Sequence, residues 1–482
     1  MSSTAPAIVW FRDDLRLADH PALHAAASAG RPVICLYIFE EGTGSRPLGG
    51  DARWWLDKSL AALDASLKAL GGQLVLRRGD PRLILPELVS ATGAASLDFN
   101  RRYEAASVVV DDAVSAELGR LGCVVTEHSA WLLFEPGAIQ TKTGGAFRVF
   151  TPFWRAHRPH LEPKAALRPR PSAITFHERI AGDALASLGL HPTRPDWSGG
   201  LAATWTPGEA GAKARLLGFI DNGLSRYADQ RDYPAAEASS RLSPHLRFGE
   251  VAVARVVHEV LKAADRLPGD GVEKFLAEIG WREFAWHLLS GFPDLATRNF
   301  QSGFEGFNWQ KDAAALEAWK RGRTGYPIVD AGMRELWQTG SMHNRVRMIT
   351  ASFLTKHLLT HWTEGEAWFW DTLVDADVAS NPFGWQWVAG TGADAAPYFR
   401  VFNPVMQGEK FDPDGRYVRR FVPEIADLPD RYLHRPWEAP PLLRPSAKVY
   451  PSPVVDHAFG RQRALDTFAA RQGASPQIGG IS

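Results

Sequence analysis

Cysteine is almost missing from these 482 residues: only Cys35 and Cys123 occur. That excludes a disulfide-built fold and leaves no paired spacing for structural zinc. Charge of one sign is missing too, since 54 Lys and Arg balance 54 Asp and Glu. A polyanionic partner would therefore have to be met by local clusters, not by the field of the whole chain. No apolar run reaches bilayer-spanning length, so no membrane partner is expected. No secretory-leader pattern stands ahead of Ile8-Val9-Trp10, and with so little cysteine this points to a reducing, cytoplasmic setting. A metal-ligand spacing and a Ser-His-Asp signature are lacking as well. Tryptophan, by contrast, is abundant: 18 residues, roughly three times ordinary usage. Most are expected to pack in the core. A function that needs stacking or electron-carrying rings would account for the rest.

Length alone calls for more than one domain. Short apolar runs at Ala7-Ile8-Val9-Trp10-Phe11, Val33 to Ile38, Leu74-Val75-Leu76, Ser96 to Phe99 and Val124-Val125-Thr126 alternate with helix-like stretches such as Arg53 to Leu70 and Ala105 to Leu121. This alternation predicts a doubly wound parallel α/β sheet over 1–130, with a ligand site at the C-terminal ends of its strands. From 131 to 205 periodicity gives way to Pro, Gly and basic residues, read as an interdomain linker. Helical periods dominate 206–450, at Ala210 to Asn222, Glu250 to Ala264, Val272 to Ser290 and Met333 to Thr360. They predict an all-helical second domain. A Pro- and Gly-containing tail, mobile at its end, is expected over 451–482.

The opening Trp10-Phe11-Arg12-Asp13-Asp14-Leu15-Arg16-Leu17 and several later stretches stand in a telling order: Tyr227 to Pro234, Ser239-Ser240-Arg241-Leu242-Ser243-Pro244, Trp281-Arg282-Glu283-Phe284, Thr324-Gly325-Tyr326-Pro327, Met342-His343-Asn344-Arg345, Asp375-Ala376-Asp377 through Gly384-Trp385-Gln386-Trp387, Phe402-Asn403-Pro404 and Lys410-Phe411-Asp412. The chain resembles the photolyase/cryptochrome family over nearly its whole length, most of all the members that repair cyclobutane pyrimidine dimers. The resemblance implies an N-terminal α/β antenna domain and a C-terminal helical domain holding FAD. It also implies a reaction in which light-excited reduced flavin lends an electron to the dimer and takes it back, with no acid-base pair, nucleophile or metal.

By themselves, Ser239, Ser240 and Ser243 read as a helix cap with Pro244 in the first turn. The resemblance makes them, with Tyr227, Arg241 and Leu242, contacts to the FAD phosphates. Asp375 and Asp377 stand two apart, so their side chains should diverge and take separate roles. By resemblance Asp377 accepts a hydrogen bond from the flavin ring edge, Ala376 lies between, and Asp375 pairs with Arg347, as a buried carboxylate requires. Asn381, which alone would read as a turn residue before Pro382, matches the family position facing flavin N5. There a neutral amide oxygen accepts a hydrogen bond and favours reduced flavin. Plant cryptochromes carry Asp and insect ones Cys at that position, so Asn381 argues for repair. Trp385, Trp362 and Trp309 match the family's three-tryptophan electron chain, with Trp385 next to flavin and Trp309 outermost.

The implied substrate is DNA whose dimer is flipped out of the duplex. Trp281 and Trp387 match the walls on which it stacks, and Glu278 a hydrogen bond to a dimer base. Asn344, Arg345, Met348 and Gln407 line the pocket and DNA mouth, and Arg231 meets a phosphate. Six-four photolyases carry His where Asn344 stands, which favours the cyclobutane dimer. His343 is read as a structural hydrogen-bonder. Ser341 and Pro382-Phe383 depart from the usual pattern. Ala106-Ser107 stand where folate-binding enterobacterial members have Asn-Glu, so the second chromophore stays open between methenyltetrahydrofolate in another pose, which is favoured, a deazaflavin, and none. A monomer is expected. The rival reading is a cryptochrome-like blue-light receptor, against which stands the lack of a long polar C-terminal extension.

Overall fold

The computed structural model describes residues 5–162, 167–267 and 269–473. Residues 163–166 of the expected linker and 474–482 of the expected tail lie outside these. The chain divides into two compact units. One comprises Met1–Ala228, Ala238–Pro293 and Val374–Asp377; the other comprises Asp229–Glu237, Asp294–Leu373 and Val378–Ser482.

In the first unit β1 (Ala7–Phe11), α1 (Pro21–Ser28), β2 (Val33–Glu40), α2 (Gly50–Lys68), β3 (Leu74–Gly79), α3 (Pro81–Thr92), β4 (Ser96–Asn100), α4 (Ala105–Arg120) and β5 (Val124–His128) alternate as the apolar runs predicted. The strands form one parallel sheet in the order β3-β2-β1-β4-β5. Side chains alternate across each strand. Ala7, Val9 and Phe11 of β1 therefore pack with α1 and α2, whereas Ile8 and Trp10 pack with α3 and α4. Both faces are covered, as buried parallel sheets require. At the strand C-terminal ends, where the order reverses, lies a buried ion network. Arg12 reaches Asp111 at 2.8 Å, and Arg102 bridges Asp111 at 2.6 Å and Glu40 at 2.5 Å. Both cysteines are free and buried, and burial pushes the Cys35 thiol up to about 12, which leaves it unreactive.

Helices Glu209–Asn222, Val253–Ala264 and Gly269–Gly291 of this unit bury a second apolar cluster. The stretch read as a linker is more ordered than its composition suggested. It holds helices Phe150–His157 and Gly199–Thr204, and Phe176 makes a parallel bridge to Val33.

The second unit contains no strand among its described residues. Its helices include Ala313–Lys320, Pro327–Thr339, Asn344–Ser352, Trp362–Thr372, Ser380–Ala389 and Pro404–Phe411. The run expected from Met333 to Thr360 is broken. Gly340 at φ 65° stops the first helix, His343 caps the next, and a π-helical turn at Phe353–His357 follows. The tail is corrected too, because His457–Gly473 is a helix. Phe468 stacks on Tyr398 at 4.7 Å and Ala464 is fully buried, so aromatic packing outweighs a weak apolar period.

Burial holds three imidazoles neutral: His287 and His343 are lowered to about 4 and His357 to about 3. The unfolded chain, whose histidines titrate near pH 6.5, takes up these protons first as the pH falls. Stability is therefore full above about pH 6.5 and declines toward about pH 4, by roughly 1.4 kcal/mol per pH unit for each group. Glu283, pushed up to about 7, acts with the opposite sign and offsets one of the three. The melting temperature should fall between about pH 7.5 and about pH 5. A constant or rising value would contradict this.

Candidate functional site

The expected site residues divide between the two units. In the first, Ser239 to Ser243 form a turn in which Arg241 takes φ 51° and Leu242 N donates to Ser240 Oγ at 3.4 Å. The turn opens the short helix Ser243–Arg247, with Pro244 in its first turn. Ser243 Oγ donates to Asp375 Oδ2 at 2.5 Å, and Arg247 Nε donates to the Ala376 carbonyl at 3.0 Å. The serine turn and the Asp375-Ala376-Asp377 turn are thus fastened together. The two acids do diverge. Asp375 takes the Ser243 hydroxyl, while Asp377 lies close enough to Arg247 and Arg282 to favour their charged forms. Tyr227 is buried edge-on against Phe219 and Phe275. Glu278 and Trp281 stand one turn apart on helix Gly269–Gly291, and the Trp281 ring lies flat on Phe150 at 3.7 Å.

In the second unit Asn381 lies in the first turn of helix Ser380–Ala389. Its Nδ2 donates to Glu366 twice, at 2.8 Å to Oε1 and 3.1 Å to the carbonyl. Both amide hydrogens being engaged, the amide cannot flip without losing both bonds, and Oδ1 is left as the outward acceptor. Glu366 itself is 2 % exposed. It was not among the residues singled out from the sequence, although a signal was present. Trp362, Gly365, Glu366 and Phe369 recur at helical spacing and are all buried, so a carboxylate sits in an apolar stripe.

The three tryptophans differ in exposure. Trp385 and Trp362 are buried and Trp309 is half-buried. Trp385 packs edge-on against Phe369 at 4.9 Å and Trp319 at 6.0 Å. A Cβ on Gly365 would come within 2.1 Å of the Trp385 ring, so only glycine admits that ring against the helix carrying Trp362. Trp362 Nε1 donates to Asn299 Oδ1 at 2.8 Å.

At the start of helix Asn344–Ser352, His343 Nδ1 accepts from Arg345 N at 3.3 Å, a capping role, and burial keeps its ring neutral. Asn344 is exposed beside it. Arg345 pairs with Asp232 at 2.7 Å, lies over the Phe411 ring at 4.5 Å and reaches Met348 Sδ at 3.8 Å. Arg347 donates to the Met342 carbonyl at 2.7 Å, and Arg231 stands 3.9 Å from Asp232. Gln407 is half-buried on helix Pro404–Phe411, which Asn403 caps. Trp387 is half-buried, and its carbonyl accepts from Ala396 N. No group of three or more His, Cys, Asp or Glu among the described residues could hold a metal, and no described helix is long and apolar enough to cross a membrane.

Two family models match the chain. A DNA photolyase model matches residues 7–172, and a model of the FAD binding domain of DNA photolyase matches 275–470. The chain is 51% identical to a deoxyribodipyrimidine photo-lyase of Agrobacterium fabrum, over 97% of this chain and 98% of that one. It is 39% identical to Cryptochrome-1 of Arabidopsis thaliana, over 93% of this chain and 68% of that one. Among solved structures, a bacterial class III photolyase from Agrobacterium tumefaciens superposes with a TM-score of 0.95 at 50% identity, covering 98% of this chain and 99% of that one. The ordered motifs, the doubly wound sheet, the helical unit and these matches establish that the chain belongs to the photolyase/cryptochrome family, with the FAD-binding domain of that family.

Proposed function

We propose that this protein repairs cyclobutane pyrimidine dimers in DNA, driven by light and FAD. The observation that carries the reading is the near full-length likeness to a deoxyribodipyrimidine photo-lyase, joined to an Asn381 amide locked with its oxygen free to accept. When bound, reduced FAD supplies the electron that opens the cyclobutane ring after absorption of light and then returns. The chain's own residues bind, orient and insulate.

Asn381 Oδ1 would accept a hydrogen bond from flavin N5–H, and Glu366 keeps that oxygen in place. The serine turn and the Asp375–Asp377 turn hold the phosphates and ring edge, with Tyr227, Arg241, Leu242 and Arg347 beside them. Trp281 and Trp387 stack the extruded bases, Glu278 accepts from a base edge, and Asn344, Arg345, Met348, Gln407 and Arg231 meet the strand around it. The protein acts as a monomer in the cytoplasm. Segments 1–130, 131–205 and 206–450 serve as antenna domain, linker and FAD- and DNA-binding domain, and the helix His457–Gly473 packs with the last of these. The topology rule for open α/β sheets favours the strand ends as the seat of a second chromophore, methenyltetrahydrofolate before deazaflavin. A buried Glu40 Oε2 without a hydrogen-bond partner supports an acceptor role there. Absorbance of the extracted cofactors tests this assignment.

Repair is tested by illuminating purified, reduced protein with a dimer-containing oligonucleotide, and dimer loss in light alone is expected. Trp281→Ala should weaken binding of that oligonucleotide about tenfold to a hundredfold, since base stacking on an aromatic ring is worth about 1–3 kcal/mol. Affinity for undamaged DNA should stay unchanged in a fluorescence anisotropy titration. Equal weakening for both DNAs would remove Trp281 from the stacking wall.

A further inference from the structure

One ring between the outer tryptophans has no assigned part. His361 packs edge-on against Trp309 at 5.2 Å, and its plane lies 30° from that of Trp362 at 5.6 Å. The backbone fixes this placement. Leu359 takes φ 53°, and its carbonyl accepts from Gln310 N at 2.8 Å, which ties the segment after Trp309 to the turn before His361. His361 also caps helix Trp362–Thr372. Its Nδ1 accepts from Thr363 N at 3.3 Å and lies 2.7 Å from Thr363 Oγ1. A ring whose Nδ1 accepts carries its hydrogen on Nε2 and is uncharged.

We infer that His361 is a positioning residue of the electron chain: a cap-locked neutral imidazole that lets positive charge pass from Trp362 to Trp309, and that would block this passage if protonated. The inference rests on the reading of Trp385, Trp362 and Trp309 as that chain. In the step concerned, one electron leaves Trp309 for Trp362, which has been oxidised by way of Trp385 and the photoexcited oxidised flavin. Trp309 is oxidised and Trp362 is restored. A small thiol in solution afterwards reduces Trp309. His361 gains and loses nothing, but a charge on it would lie within about two ring widths of both tryptophans. Like charges at such separations repel strongly where water is scarce.

Burial holds the imidazole below its ordinary range, against Glu364 in the first turn of the same helix, whose charge favours the protonated form. Residues 307–310, on the segment that packs against it, and 358–360, which precede it, bear no ionisable side chain. Trp309 Nε1, on the neighbouring ring, has no hydrogen-bond partner.

The test uses the oxidised, FAD-loaded protein with a thiol. The Trp309 radical is followed by transient absorption, and the His361 resonance by NMR titration. Wild-type radical yield should fall about tenfold as the pH is lowered through the His361 titration, with a midpoint matching the one NMR reads. His361→Lys should show the low yield throughout that range. His361→Asn, which keeps a capping acceptor without a titrating ring, should stay high and flat. Repair by protein reduced beforehand should be the same in all three. A pH-independent wild type, or a His361→Asn that follows the wild-type profile, would overturn the inference, and this comparison holds even if the Lys variant fails to fold. Trp309→Phe, run alongside, separates the two layers: normal photoreduction there removes the chain itself, whatever His361 does.

Discussion

Replacing Asn381 by Asp should cut the repair rate about tenfold or more and shift the bound flavin away from its fully reduced state. The native amide gives both its hydrogens to Glu366, at 2.8 and 3.1 Å, and keeps its oxygen as an acceptor. An aspartate puts a second carboxyl against one that is almost wholly buried, and two carboxylates sharing a site cannot both ionise. Either outcome is costly. An ionised pair repels, while a protonated one surrenders the fixed orientation that made the oxygen face outward. Hydrogen bonds involving charged groups are worth about 1.5–3 kcal/mol, which sets the rate change at about tenfold to a hundredfold. Glu366→Leu should produce a milder loss, since the Glu366 carbonyl still holds one amide hydrogen. Glu366→Gln should be milder still. Repair kinetics and the flavin reduction potential read all three variants. Unchanged redox behaviour in Asn381→Asp would show that Asn381 does not face the flavin.

Trp309→Phe should slow photoreduction of oxidised flavin by about tenfold or more, yet leave repair by previously reduced protein within about twofold, because an apolar swap of similar shape usually costs less than about 1.5 kcal/mol. The asymmetry comes from the local contacts. Trp309 packs on Phe307 at 4.5 Å and beside the Phe304 and Tyr398 cluster, and phenylalanine keeps much of that packing. Its Nε1 has no partner, so no hydrogen bond is lost. What phenylalanine cannot do is give up an electron to an oxidised indole. Initial photoreduction rates with a thiol donor, set beside repair yields, check the prediction. A normal rate would show that the electron enters elsewhere.

How far the chain could be read from its sequence depends on the range of the interactions. The sheet was legible because each apolar run from Ala7–Phe11 to Val124–His128 is local and is closed by helix or turn signals. The residues proposed to meet flavin and DNA could be named only from a series of long motifs, since Ser243, taken singly, reads as an ordinary cap. Contacts made across long stretches of chain stayed hidden. The bridge from Phe176 to Val33 joins an apparent linker to the sheet, and the helix His457–Gly473 is held by Phe468 against Tyr398. Glu366 needed the coordinates to show which amide its carboxylate holds. His361 is a neighbour of Trp309 only because the Leu359 turn brings residues some fifty positions apart side by side, a distance no local period encodes.

The most direct measurement sets reduced, purified protein against two oligonucleotides, one with a cyclobutane thymine dimer and one with a six-four photoproduct, each in blue light and in darkness. The account predicts restored thymines from the cyclobutane dimer in light only, and none from the six-four lesion. An illuminated cyclobutane dimer that persists with reduced flavin bound would contradict it.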